Sequence, residues 1–125
     1  MEKMSTRTGT PGNDFLSQSP EADTILGLEG KDTLMGHEGH DCLNGNQGND
    51  TVCGGEGNDT AGGGKEADQM SGEGGNDIVY GQLGKDTGLG GDGDDLVFGN
   101  QGDDLLFGNG MTRFMVAKTV IRCGG

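Results

Sequence analysis

The feature that most constrains this chain is a period of nine residues. From Gly9 the sequence divides into GTPGNDFLS, QSPEADTIL, GLEGKDTLM, GHEGHDCLN, GNQGNDTVC, GGEGNDTAG, GGKEADQMS, GEGGNDIVY, GQLGKDTGL, GGDGDDLVF and GNQGDDLLF, eleven blocks covering residues 9–107 without an insertion. The sixth position is aspartate in every block: Asp14, Asp23, Asp32, Asp41, Asp50, Asp59, Asp68, Asp77, Asp86, Asp95 and Asp104. Position one is glycine except at Gln18, and position four is glycine except at Glu21 and Glu66. Position eight is a sizeable aliphatic side chain except at Ala61 and Gly88. Self-similarity at a fixed short period is the mark of a repeat architecture, in which each unit buries its apolar face only against its neighbours. With glycine at 29 of 125 residues and hydrophobic residues at 29%, an ordinary globular core is excluded.

Glycine at positions one and four predicts that the first six residues of a block form a loop, because glycine weakens strand and helix interiors and serves where the backbone turns through positive φ. Positions seven to nine, as in DTLMG, DTVCG and DIVYG, predict a very short strand that points position eight inward and its neighbours outward. Three-residue strands are not stable alone, so the blocks must stack. The predicted fold is all-β, a parallel β-roll with two blocks per coil, two parallel sheets back to back, and a row of turns along each edge. Its interior is one narrow file of position-eight side chains.

The formal charge is −13 for the chain, and within residues 9–107 it reaches −17, from 20 acidic and 3 basic side chains. Such a field disfavours nucleic acid and anionic membranes and favours cations, metal ions foremost. No window approaches 18 consecutive apolar residues, so no membrane span is expected, and Met1–Thr8 lacks the apolar run of a cleaved signal peptide. A solvated flexible linker would not keep aspartate in phase eleven times with an aliphatic residue two positions later.

These blocks resemble the RTX (hemolysin-type) calcium-binding repeat family, whose nonapeptide is G-G-x-G-x-D-x-U-x. The resemblance implies a right-handed parallel β-roll of 18 residues per turn, with Ca²⁺ held between turn n and turn n+2 on the same edge. It also implies that the eleven position-six aspartates supply carboxylate oxygens and the glycine-rich turns supply backbone carbonyls. That agrees with the appetite of Ca²⁺ for six to eight oxygens in a forgiving geometry. Six odd blocks and five even blocks leave about nine inter-turn sites as a ceiling. Without cations the aspartate rows repel, so a disordered metal-free chain that folds with calcium is expected. Glu21 and Glu66 are expected to weaken their turns, and Gly88 to leave a hole in the core file. Asp92, Asp94 and Asp103 read as solvated acids more readily than as extra ligands.

Other chemistry is thin. His37 and His40 in HEGH fall one residue short of H-E-x-x-H and sit in a turn, so they read as surface histidines. Gly72, Gly74 and Gly75 recur with the repeat and precede no helix, which excludes a phosphate loop. Neither a catalytic arrangement nor a catalytic-domain length is evident, and no enzyme activity is expected. Thr24, Thr33, Thr51, Thr60 and Thr87 at position seven resemble the ice-binding rows of some β-solenoid adhesins. The rows are broken by Phe15, Cys42, Gln69, Ile78, Leu96 and Leu105, so strand propensity explains them better. Cys42 and Cys53 fall on opposite sheets, which disfavours a bridge between them, and unpaired thiols, Cys123 included, are the expectation.

The organisation expected is an N-terminal extension over 1–8, the roll over 9–107, and a tail over 108–125. Near the end of the roll, IVY, LVF and LLF are apolar on both faces, with Ile78 above Leu96 and Tyr80 above Phe98. Such an outward patch needs a cover. The tail MTRFMVAKTVIRCGG, apolar and basic through Arg113, Lys118 and Arg122, is a candidate cap. It is shorter and more basic than the secretion segment that follows RTX repeats. The function expected is therefore calcium binding by a module from a secreted bacterial protein, with its C-terminal apolar face as a surface for a protein partner or self-association. The alternative is a structural or adhesive module that docks through that face.

Overall fold

The period of nine becomes a coil of eighteen. The computed structural model describes residues 5–17, 20–108 and 113–115, and within them every element is a β-strand. One sheet holds seven strands in the order β1 (Ser5–Thr8), β3 (Asp23–Leu26), β5 (Cys42–Gln47), β7 (Thr60–Lys65), β9 (Ile78–Leu83), β11 (Leu96–Gln101) and β13 (Arg113–Met115). The other holds six: β2 (Phe15–Ser17), β4 (Thr33–Met35), β6 (Thr51–Glu56), β8 (Gln69–Gly74), β10 (Thr87–Leu89) and β12 (Leu105–Phe107). All pairings are parallel, and within the repeats each residue faces the one 18 positions on, as Thr24 faces Cys42 and Leu34 faces Val52. Successive blocks thus alternate between sheets and stack two to a coil, as the sequence predicts. No helix of the described residues is long and apolar enough to cross a membrane.

The core is the predicted file. Leu16, Ile25, Leu34, Leu43, Val52, Ala61, Met70, Val79 and Val97 are buried against one another, and Leu106 packs on the end of the row. At Gly88 no hole opens: a Cβ there would lie 3.2 Å from Val97 Cγ1 and 3.3 Å from Leu106 Cδ2, so the neighbours have closed over the missing side chain. That corrects the expected cavity.

Two further expectations are corrected by the strands themselves. β5, β6, β7, β8, β9 and β11 run six residues, through positions one to three of the following block, so in mid-roll only positions four to six form the loop. Pairing carries on because the coils are in strict register, as with Asn46 against Gly64 and Gln47 against Lys65. Nor does the position-one glycine serve a left-handed backbone. Positive φ falls at position two, where Leu28, His37, Asn46, Glu73, Gln82 and Asn100 take 67–79°, and at position four, as in Gly48 and Glu66.

Two strands come from outside the repeats. β1 joins β3 in the 18-residue register, and β13 pairs with Leu96–Phe98 after a coil of 17 residues. The outward patch divides between the sheets. Tyr80 is 0% exposed although its phase points outward, and Phe98 is also buried. The Tyr80 ring lies across Gly62, which has no side chain to oppose it, and its hydroxyl bonds to Asn44. Burial pushes that hydroxyl up to about 12. On the other sheet Leu105 and Phe107 stay 56% and 52% exposed. Most of the expected cap, 116–125, lies outside the described residues. Cys53 is a free thiol, while Cys42 is disulfide-bonded, which corrects the expectation of unpaired thiols at Cys42; Cys123 lies outside the described residues.

Candidate metal centre

The stacking places the aspartates in two columns, one per edge: Asp14, Asp32, Asp50, Asp68, Asp86 and Asp104 before the six-stranded sheet, and Asp23, Asp41, Asp59, Asp77 and Asp95 before the seven-stranded one. Nine of the eleven are buried, from Asp23 to Asp95, at 1–3% exposure, while Asp14 and Asp104 at the ends are half-buried. A carboxylate is almost never buried this fully unless something pairs with it.

Each column is strung on its own hydrogen bonds. The Oδ1 of one aspartate accepts the backbone N–H of the aspartate one coil earlier, from Asp14 N–H to Asp32 through Asp86 N–H to Asp104, all nine at 2.8–2.9 Å. The second oxygen is not so served. The Oδ2 atoms of Asp32, Asp41, Asp50, Asp59, Asp68, Asp77 and Asp86 are buried without a hydrogen-bond partner. Asp14, at the open end, accepts from the Thr10 amide at 2.7 Å instead.

The orphaned oxygens face the position-one glycines of their own blocks. A Cβ on Gly27 would lie 2.7 Å from Asp32 Oδ2 and 2.8 Å from the Gly45 carbonyl of the next coil. At Gly36 it would meet Asp41 Oδ2 and the Gly54 carbonyl, and at Gly81 Asp86 Oδ2 and the Gly99 carbonyl. Glycine is needed at position one for space: the side chain it lacks would collide with the carboxylate and, at Gly27, Gly36 and Gly81, with the carbonyl of the next coil. At positions two and four, a Cβ on Gly55 would strike the His37 carbonyl and one on Gly48 the Gly30 carbonyl, so these peptide oxygens point from turn to turn along the edge.

Electrostatics give the same picture. Burial, opposed by the Oδ1 hydrogen bond and reinforced by neighbouring acids, raises Asp41, Asp50 and Asp86 to about 6, Asp59 and Asp77 to about 7, and Asp68 to about 8. For Asp68 the neighbours are Asp86, Asp50 and Glu66. Ionising these groups costs more in the roll than in water, and positive charge in the column would offset that cost.

Among the described residues no three His, Cys, Asp or Glu side chains converge as a metal-binding group. A cation between turns would therefore draw on carboxylate oxygens of the column and on turn carbonyls, an all-oxygen set that suits a hard ion such as Ca²⁺. His37 and His40 are exposed and apart in role: the His37 ring meets Ser17 Oγ, and His40 Nδ1 accepts the Asn58 amide at 2.9 Å. The second contact belongs to a set that sequence reading missed. Position-five side chains accept position-five amides one coil later, and the signal lay in the acceptors Asn13, His40, Asn49, Asn58 and Asn76 recurring in phase.

Neither the curated proteins nor the solved structures gave a match to this chain. The profile of the RTX calcium-binding nonapeptide repeat matches it four times, over residues 8–41, 19–52, 54–88 and 80–110, and the chain belongs to that family of calcium-binding repeats.

Proposed function

We propose that this chain is a calcium-folded binding module, with the eleven position-six aspartates as carboxylate ligands and about nine inter-turn sites at most. The observation that carries this is the run of seven buried Oδ2 atoms without a hydrogen-bond partner, each packed against a position-one glycine where even a Cβ would strike the carboxylate. A buried, unpaired carboxylate is costly, and a divalent ion between turns removes that cost while joining two coils. Ion binding and folding are then one process, steep in calcium because each coil supports the next. The module does no chemistry of its own and forms part of a secreted bacterial protein.

Far-UV circular dichroism during calcium addition tests it. The spectrum should pass from coil to β at millimolar Ca²⁺, with Mg²⁺ a poor substitute because it demands a smaller octahedral site. An unchanged spectrum at about 10 mM Ca²⁺ refutes the reading. A second reading, an interaction module, rests on the exposed Leu89, Leu105 and Phe107 at the C-terminal end of the six-stranded sheet. Light scattering of the calcium-loaded chain tests it, with association expected and a strict monomer counting against self-docking.

A further inference from the structure

The gaps between turns are of two kinds. In every aspartate-lined gap the earlier turn donates its aspartate N–H to the later aspartate. In five of the nine the later turn also donates back, its position-five amide reaching the position-five side chain of the earlier turn: Lys31 to Asn13, Asn58 to His40, Ala67 to Asn49, Asn76 to Asn58 and Asp94 to Asn76, at 2.8–3.1 Å. The return bond needs an acceptor, and Ala22, Lys31, Ala67 and Lys85 have none to offer. The doubly clasped gaps run unbroken from Asp41 to Asp95 on one edge, whereas on the other edge only Asp14–Asp32 and Asp50–Asp68 of the five gaps have the position-five bond.

From this pattern we infer that the position-five acceptors are positioning residues, which hold successive turns at the spacing a calcium gap requires and make the Asp41–Asp95 column the better organised of the two. The two bonds of a clasped gap run in opposite directions, so together they fix both separation and slide of the turns. A gap without the position-five bond still has a return bond from the later position-seven amide to the earlier aspartate carbonyl, as Thr51 to Asp32 and Thr87 to Asp68, but lacks the second one at position five. The position-five side chain touches no aspartate oxygen in these contacts; it acts through the amide of the next turn.

Three variants of the full chain test this, at fixed millimolar Ca²⁺, by urea titration and amide hydrogen exchange. Asn58→Ala removes the acceptor for the Asn76 amide, and the folding constant should fall about fivefold with faster exchange at Asn76. Asn58→Asp keeps an accepting oxygen and should restore protection at Asn76. Ala67→Asn supplies an acceptor to Lys85 at an exposed position and should raise the folding constant by a similar factor. The inference is overturned if Asn58→Asp exchanges like Asn58→Ala, or if Ala67→Asn leaves the folding constant unchanged. It rests on calcium-driven folding but fails separately: a chain that stays unfolded in calcium refutes that reading, and a folded chain indifferent to these changes refutes this one.

Discussion

Acid should order the chain when calcium is withheld. The carboxyls of Asp41, Asp50, Asp59, Asp68, Asp77 and Asp86 lie near 3.8 when exposed and at about 6 to about 8 in the roll. Their folded values are raised, so the roll binds more protons than the coil, and its stability falls as pH rises. The contribution is fully present below 3.8 and is lost progressively up to the folded values. At 1.36 kcal/mol per unit, bringing one such group from below 3.8 to pH 7 costs the metal-free roll about 3 kcal/mol for Asp41, Asp50 or Asp86. For Asp59, Asp68 or Asp77 the figure is about 4 kcal/mol. Coupling within each column makes the sum less than additive, yet a few such terms rival the whole stability of a small domain. In EDTA, far-UV circular dichroism should therefore show more β structure at pH 4.5 than at pH 7.5, at concentrations low enough to avoid precipitation near the pI of about 4.2. Asp68→Asn removes the most strongly raised group and should move this transition to higher pH, while raising the calcium needed at pH 7.5. A metal-free spectrum unchanged between the two pH values, or β structure gained on raising pH, would refute the reasoning.

Asp59→Ala should raise the calcium midpoint for folding more than Asp14→Ala, because Asp59 is buried in mid-column while the half-exposed Asp14 is already served by the Thr10 amide; equal shifts in a calcium titration would contradict this. Gly54→Ala puts a methyl 2.6 Å from Asp59 Oδ2 and should cost several-fold in calcium midpoint, whereas Gly88→Ala meets side-chain carbons at 3.2–3.5 Å and should fold almost normally. Deleting residues 111–125 removes β13 from the edge of β11, and light scattering with a calcium titration should show association or a higher calcium requirement.

The roll was legible because what specifies it is periodic. An aliphatic residue every nine positions can be buried only by stacking, and eleven in-phase aspartates repel one another at neutral pH unless cations offset their charge. Both statements follow from spacing and side-chain chemistry before any coordinate is known. Tertiary structure decided what depends on residues 18 apart. Glycine at position one looked like a backbone requirement and is a spatial one, because the carboxylate and the next coil's carbonyl fill the place of its side chain. The true left-handed corner lies one residue later, at Leu28, His37 or Asn46, where the residue type varies from coil to coil and Leu28 does not announce a positive φ. Tyr80 points outward by its phase yet is buried, because Gly62 one coil earlier leaves a bare strip of sheet for the ring to cover. The strands continue to position three, and the position-five side chains clasp the turns, only because identical coils lie in register, each completing the hydrogen bonds of the one before. Local sequence sets what a nine-residue unit can do alone; contact between coils sets which backbone groups remain for the ion.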